Sequence, residues 1–136
     1  MKIFNFIVVL LITNSIYTQT DTSIYSSDTM YTLLESKEGK VVKKVPFGKE
    51  VTITFDYFFK TLNIDYKNID REYVHMSFDI LHNVQNKVLI VKDDFDNEFS
   101  GMNTLDSNGE LYLISNIPNE DETLFSIKII NAMKIN

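Results

Sequence analysis

Apolar and polar side chains alternate with period two along most of this chain. The clearest run is Lys49 to Leu62, KEVTITFDYFFKTL, in which Val51, Ile53, Phe55 and Tyr57 alternate with Thr52, Thr54, Asp56 and Phe58. Successive side chains of an extended strand point to opposite faces, so the run predicts a β-strand with one buried face. Its composition agrees: Val, Ile, Thr, Phe and Tyr fill almost every position, and helix formers are nearly absent before Lys60.

The same grammar recurs on both sides. Upstream, Asp21 to Ser27 is rich in Ser, Thr and Asp and reads as a flexible terminus or an edge strand, and Thr29 to Leu34 reads as a strand or a short covering helix. Val41 to Val45 alternates Val with Lys ahead of Pro46, the composition of a guarded edge strand, and Phe47-Gly48-Lys49 is expected to turn the chain. Downstream, Leu62, Ile64 and Tyr66 share a face, as do Val74, Met76, Phe78 and Ile80. KVLIVK at Lys87 to Lys92 is apolar enough to predict a strand buried on both sides. Further strands are predicted at Phe99 to Thr104, Glu110 to Ile114 and Leu124 to Ile135, with Asn108-Gly109 as a tight hairpin turn. Turn signals about every eight to twelve residues predict an all-β fold, an antiparallel meander of about eight strands closed as a small barrel or stacked as a sandwich.

The first 19 residues follow a different pattern. Lys2 precedes the apolar block IFNFIVVLLI, which gives way to polar residues from Thr13, the three-part layout of a secretory signal peptide cut near Thr18 or Gln19. Its apolar core is about ten residues, against the roughly 20 that a membrane-spanning helix needs. Residues 20–136 are left as a single β domain. The exit Tyr17-Thr18-Gln19 resembles the signal peptides of small exported proteins of Gram-negative bacteria, and the strand succession resembles a lipocalin-like β-meander. The resemblance implies a periplasmic or extracellular location and a barrel able to hold a small apolar ligand. The Gly-x-Trp of lipocalins is absent, because the chain has no Trp.

Composition narrows the function. With 44% hydrophobic and 12% aromatic residues and a mean hydropathy of −0.08, the chain has the material for a packed core. It has no cysteine, which excludes disulfides, thiolate metal sites and a cysteine nucleophile. A formal charge of −6 and a single arginine, Arg71, argue against nucleic acid, whose phosphates are bound by clustered Lys and Arg. Val41 to Val45 and Glu110 to Ile114 are too short for the strands of about ten residues that line an integral outer-membrane barrel.

No catalytic or metal-binding pattern emerges. The loop DDFDNE places Asp94, Asp96 and Glu98 at alternate positions, but a calcium-loop register starting at Asp96 puts Ser107 where the bidentate Glu belongs. His75 and His82 are seven apart and fall on opposite strand faces. His75, Ser77 and Asp79 share a face, yet such neighbours stand about 6 to 7 Å apart with parallel side chains, too far for a proton relay. The expected protein is therefore not an enzyme and uses no cofactor or metal. Two roles remain: a small apolar ligand held among Phe55, Tyr57, Met76, Phe78 and Ile90, or a protein partner held on an edge strand or on Phe58.

Overall fold

The computed structural model describes residues 21–84 and 87–136; the export signal expected over residues 1–19 lies outside them. The described chain forms ten strands and one short helix: β1 (Thr22–Ser27), β2 (Thr29–Glu35), β3 (Val41–Asp56), β4 (Thr61–Lys67), β5 (Tyr73–Asn83), β6 (Val88–Asp93), β7 (Glu98–Thr104), α1 (Leu105–Asn108), β8 (Glu110–Ser115), β9 (Leu124–Ile130) and β10 (Met133–Lys134). From β2 to β9 each strand pairs antiparallel with the next, and β9 returns to pair with β2. Eight strands thereby close an antiparallel barrel, the first of the two all-β architectures the alternation allowed. β1 and β10 are additions at one end. β1 prolongs β2 beyond Asp28 and pairs with Val51–Asp56 of β3, and β10 pairs with β1.

Closure works because each strand carries one apolar face. Ile53 pairs with Ile64, Phe55 with Leu62, Leu62 with Phe78, and Leu113 with Ile127, so cross-strand rows of large side chains point into the barrel. Phe55, Leu62, Ile64, Leu89, Val91, Leu113 and Ile129 have no exposed surface, and one hydrophobic cluster unites them with the rest of the core. Phe78 meets Phe99 edge to face at 5.7 Å. A barrel of eight strands is narrow enough for such side chains to fill it.

Several local expectations are corrected. Phe47-Gly48-Lys49 is not a turn: β3 runs through it for 16 residues, bending instead at a bulge between Lys49 and Thr52 where Glu50 takes φ 51°. The Val/Lys segment and the central strand are therefore two halves of one strand. The lower half pairs with β2 alone, which leaves residues 41–46 exposed, as the lysines and Pro46 would require of an edge. Asp21 to Ser27 is extended, as β1, but it is not an edge: β3 and β10 pair with it on either side. β6 is not buried on both sides: Leu89 and Val91 point in, whereas Val88 is exposed. The central strand stops at Asp56, because the chain turns at residues 57–60.

Asn108-Gly109 is not a two-residue hairpin turn either. Leu105–Asn108 forms a single helical turn closed by Gly109 in the left-handed conformation (φ 70°), with the Gly109 N–H donating to the Leu105 carbonyl at 3.1 Å. Leu105 is buried at the end of the barrel, and Asp106 accepts a hydrogen bond from the Tyr25 hydroxyl at 2.6 Å. A helical turn satisfies both contacts, which a tight hairpin would not reach.

Two tyrosines give this fold an alkaline limit. Burial, reinforced by the Asp106 carboxylate, pushes the Tyr25 hydroxyl well above its ordinary pKa. Burial and the Glu35 carboxylate do the same to Tyr112, whose hydroxyl and that of Ser126 both donate to Glu35. The folded state thus keeps protons that the unfolded state gives up once the pH passes the ordinary phenol value of about 10. Stability from these groups is complete below that pH and falls as the pH rises above it. Melting curves between pH 9 and 12 are expected to show a steep loss above pH 10, with a shallower slope in Tyr112→Phe. Equal slopes in both proteins would refute the assignment to Tyr112.

Candidate functional site

The barrel interior was the first candidate. Phe55 from β3 and Met76 and Phe78 from β5 all point inward; Phe55 and Phe78 flank Leu62 in one ladder, and Met76 pairs with Ile64. Phe55 is wholly buried and Phe78 nearly so, with neighbouring side chains filling the space around them. Tyr57 stands at the mouth, in the turn after β3, with its ring stacked on Phe55 at 6.1 Å. Ile90 does not join them. It alternates with the buried Leu89 and Val91 and pairs with His82 and Ser100, which places it on the outer face of β6.

The outer surface offers a more distinctive feature at that same mouth. In the turn at residues 57–60, Phe58 is 76% exposed and Phe59 73%, their rings edge to face at 5.0 Å. Asp56 organises the turn: one carboxylate oxygen accepts the N–H of Phe58 and of Phe59, each at 3.0 Å. Backbone bonds tie it on both sides, from Tyr57 N–H to the Asp21 carbonyl and from Ile80 N–H to the Lys60 carbonyl, each 2.8 Å. Two aromatic rings are thus presented to solvent by an anchored loop. Beside them lies a cleft of about 510 Å³ lined by Tyr57, Lys60, Ile80, Leu81, His82 and Asn83. Leu81 is 55% exposed, and it stands where a bulge interrupts the β5–β6 ladder.

The polar candidates resolve into local structure. His75 faces Asp65 across the β4–β5 ladder, Nδ1 to Oδ1 at 2.6 Å, on the exposed side of the sheet. In the acidic loop, Asp93 accepts the N–H groups of Phe95 and Asn97, and Asp96 pairs with Lys92 at 3.0 Å. Partial burial works to raise the Asp93 pKa, but the hydrogen bonds from Asn97 and Phe95 outweigh it and hold the carboxyl below its usual range. Among the described residues, no three His, Asp or Glu side chains converge in a way that would hold a metal ion. No helix among them is long and apolar enough to cross a membrane.

No protein-family model matches the sequence, and no curated protein matches it.

In the sequence, Phe55, Tyr57, Phe58 and Phe59 form an aromatic cluster with apolar residues on both strand faces, which leaves Phe58 either packed under a loop or on a partner surface; the structure exposes it together with Phe59. Phe59 follows Phe58 directly, so on a continuing strand the two would sit on opposite faces. Only the turn puts both outside. Leu81 follows the inward-facing Ile80 and so falls on the outer face with Tyr73, His75 and Asp79, at the point where the bulge interrupts pairing with β6.

Proposed function

We propose that this is an exported, non-enzymatic binding domain that holds another protein on its outer surface, with the aromatic turn at residues 57–60 as the anchor. The observation that carries this reading is the exposure of Phe58 and Phe59 on a turn already fixed by Asp56. Large aromatic side chains supply most of the binding free energy at protein interfaces, and a loop ordered before binding loses little entropy on association. Exposing two adjacent phenylalanines costs solubility, a cost relieved when a partner covers them. The filled interior argues against the other reading, a ligand in the barrel, since Phe55 has no free surface to offer and Phe78 almost none.

A photoreactive phenylalanine at position 58, introduced in the cells that make the protein, tests this. Phe95 is the control position: it is 86% exposed, on the turn after β6 at the opposite end of the meander. A discrete adduct is expected from position 58, not from position 95, and it should disappear with Phe59→Ser. Identical adduct patterns from both positions would remove the anchor, and a stoichiometric apolar molecule in native mass spectra of the purified protein would restore the ligand reading.

A further inference from the structure

A second surface cleft lies away from the aromatic turn. It opens where β4 ends at Lys67 while β3 continues down to Val41, between the bend at Asp28, the bulge of β3 and the turn that follows β4. Its volume is about 750 Å³, within the range of about 300 to 1,000 Å³ usual for small-molecule sites. Tyr31, Pro46 and Phe47 give it an apolar surface, with Phe47 half-buried against Tyr66 at 5.3 Å between ring centres. Ile69 stands at the lip, 88% exposed, an aliphatic side chain with almost all of its surface left to bury.

Charge is distributed unevenly here. The chain as a whole is acidic at −6, yet Lys49, Lys67 and Arg71 all line this cleft against Asp28 and Glu50. Lys67 already neutralises Glu50 at 2.9 Å. Among the described residues, Lys49 and Arg71 have no carboxylate partner. A further cation, the Lys44 ammonium, sits 3.9 Å from the centre of the Tyr31 ring. The cleft therefore combines an apolar wall with uncommitted positive charge, including the chain's only guanidinium, which can take a carboxylate or a phosphate in a bidentate grip.

We propose that this cleft is a binding site for a single-chain amphiphile with an anionic head group, its apolar part lying against Tyr31, Pro46 and Phe47 beneath Ile69 and its head meeting Lys49 and Arg71. The site is separate from the aromatic turn and does not depend on the role given to that turn. Carboxylate and phosphate heads share the chemistry, and the probes distinguish them.

The test is a titration of the isotope-labelled protein with dodecanoate, dodecyl phosphate and dodecyltrimethylammonium, each below its micelle concentration, followed by backbone amide shifts. Saturable shifts concentrated at residues 46–50 and 67–71 are expected with both anions, the tighter of the two identifying the preferred head, and not with the cation. Lys49→Gln combined with Arg71→Gln should weaken anion binding about tenfold, which is about 1.4 kcal/mol. Ile69→Ser should weaken it through the tail, and because Ile69 is exposed the variant keeps its fold. The proposal fails if the anions produce no saturable shifts there, if the cation binds as well as they do, if the double variant binds like the wild type, or if the shifts concentrate at residues 57–60.

Discussion

Phe55→Ala is expected to destabilise the protein by about 3 to 5 kcal/mol, a large share of the roughly 5 to 15 kcal/mol that holds a domain folded. Phe55 has no exposed surface, pairs with Leu62 on one side and Ser23 on the other, and meets the Tyr25 ring edge-on at 6.5 Å. Truncation removes its burial and leaves a cavity between β1, β3 and β4, strands whose backbones are hydrogen-bonded in place and so collapse poorly into the void. Thr54, the next residue, points outward and is partly solvated, so Thr54→Ala should cost less than about 1 kcal/mol. Phe58→Ala should be close to neutral, since three-quarters of its surface is already in water. Urea unfolding of the three variants orders them. A cost for Phe58→Ala matching that of Phe55→Ala would mean that Phe58 is a core residue and that the turn is not an accessible anchor.

How much of this was legible beforehand follows from what each signal depends on. Alternation depends on a residue and its immediate neighbours, so the inward faces of β3, β4 and β5 could be read directly: Ile53, Phe55, Leu62, Ile64 and Phe78 are all buried. Breaks in strands depend on contacts elsewhere in the chain. Phe47-Gly48-Lys49 has turn composition, but the closing barrel keeps it extended by pairing Gly48 with Met30 and Lys49 with Lys67. Asn108-Gly109 has the letters of a hairpin, yet Tyr25, 81 residues away from Asp106 in sequence, favours a helical turn. The bulge at Leu81 in β5 has no mark in its own segment. The cationic cleft is harder still, because Tyr31, Phe47, Ile69 and Arg71 come from three segments that only the barrel brings together.

Gly101→Ala is expected to be at least as damaging as Phe55→Ala, for the opposite reason: too much material where there is no room. A β-carbon at Gly101 would lie 1.7 Å from the Tyr112 carbonyl oxygen, 2.7 Å from its carbonyl carbon and 3.0 Å from the Leu113 α-carbon. All three atoms are backbone, so no side chain can swing aside, and the β7 and β8 backbones would have to separate. Gly101 sits in the middle of β7, paired with Leu89 on one side and Leu113 on the other, both wholly buried. Moving β8 would also pull Tyr112 from Glu35 and Ser126, the contact that links β8, β2 and β9 where the barrel closes. Overpacking a core commonly costs about 1 to 3 kcal/mol, and rigid backbone neighbours put this site at or above the top of that range. Glycine inside a strand marks such a close backbone approach. Met102→Ala, one residue on and with an exposed side chain, should be nearly neutral. Urea midpoints and the yield of folded protein decide between them: a Gly101→Ala protein as stable as Met102→Ala would show that β7 and β8 do not approach as closely as their pairing places them.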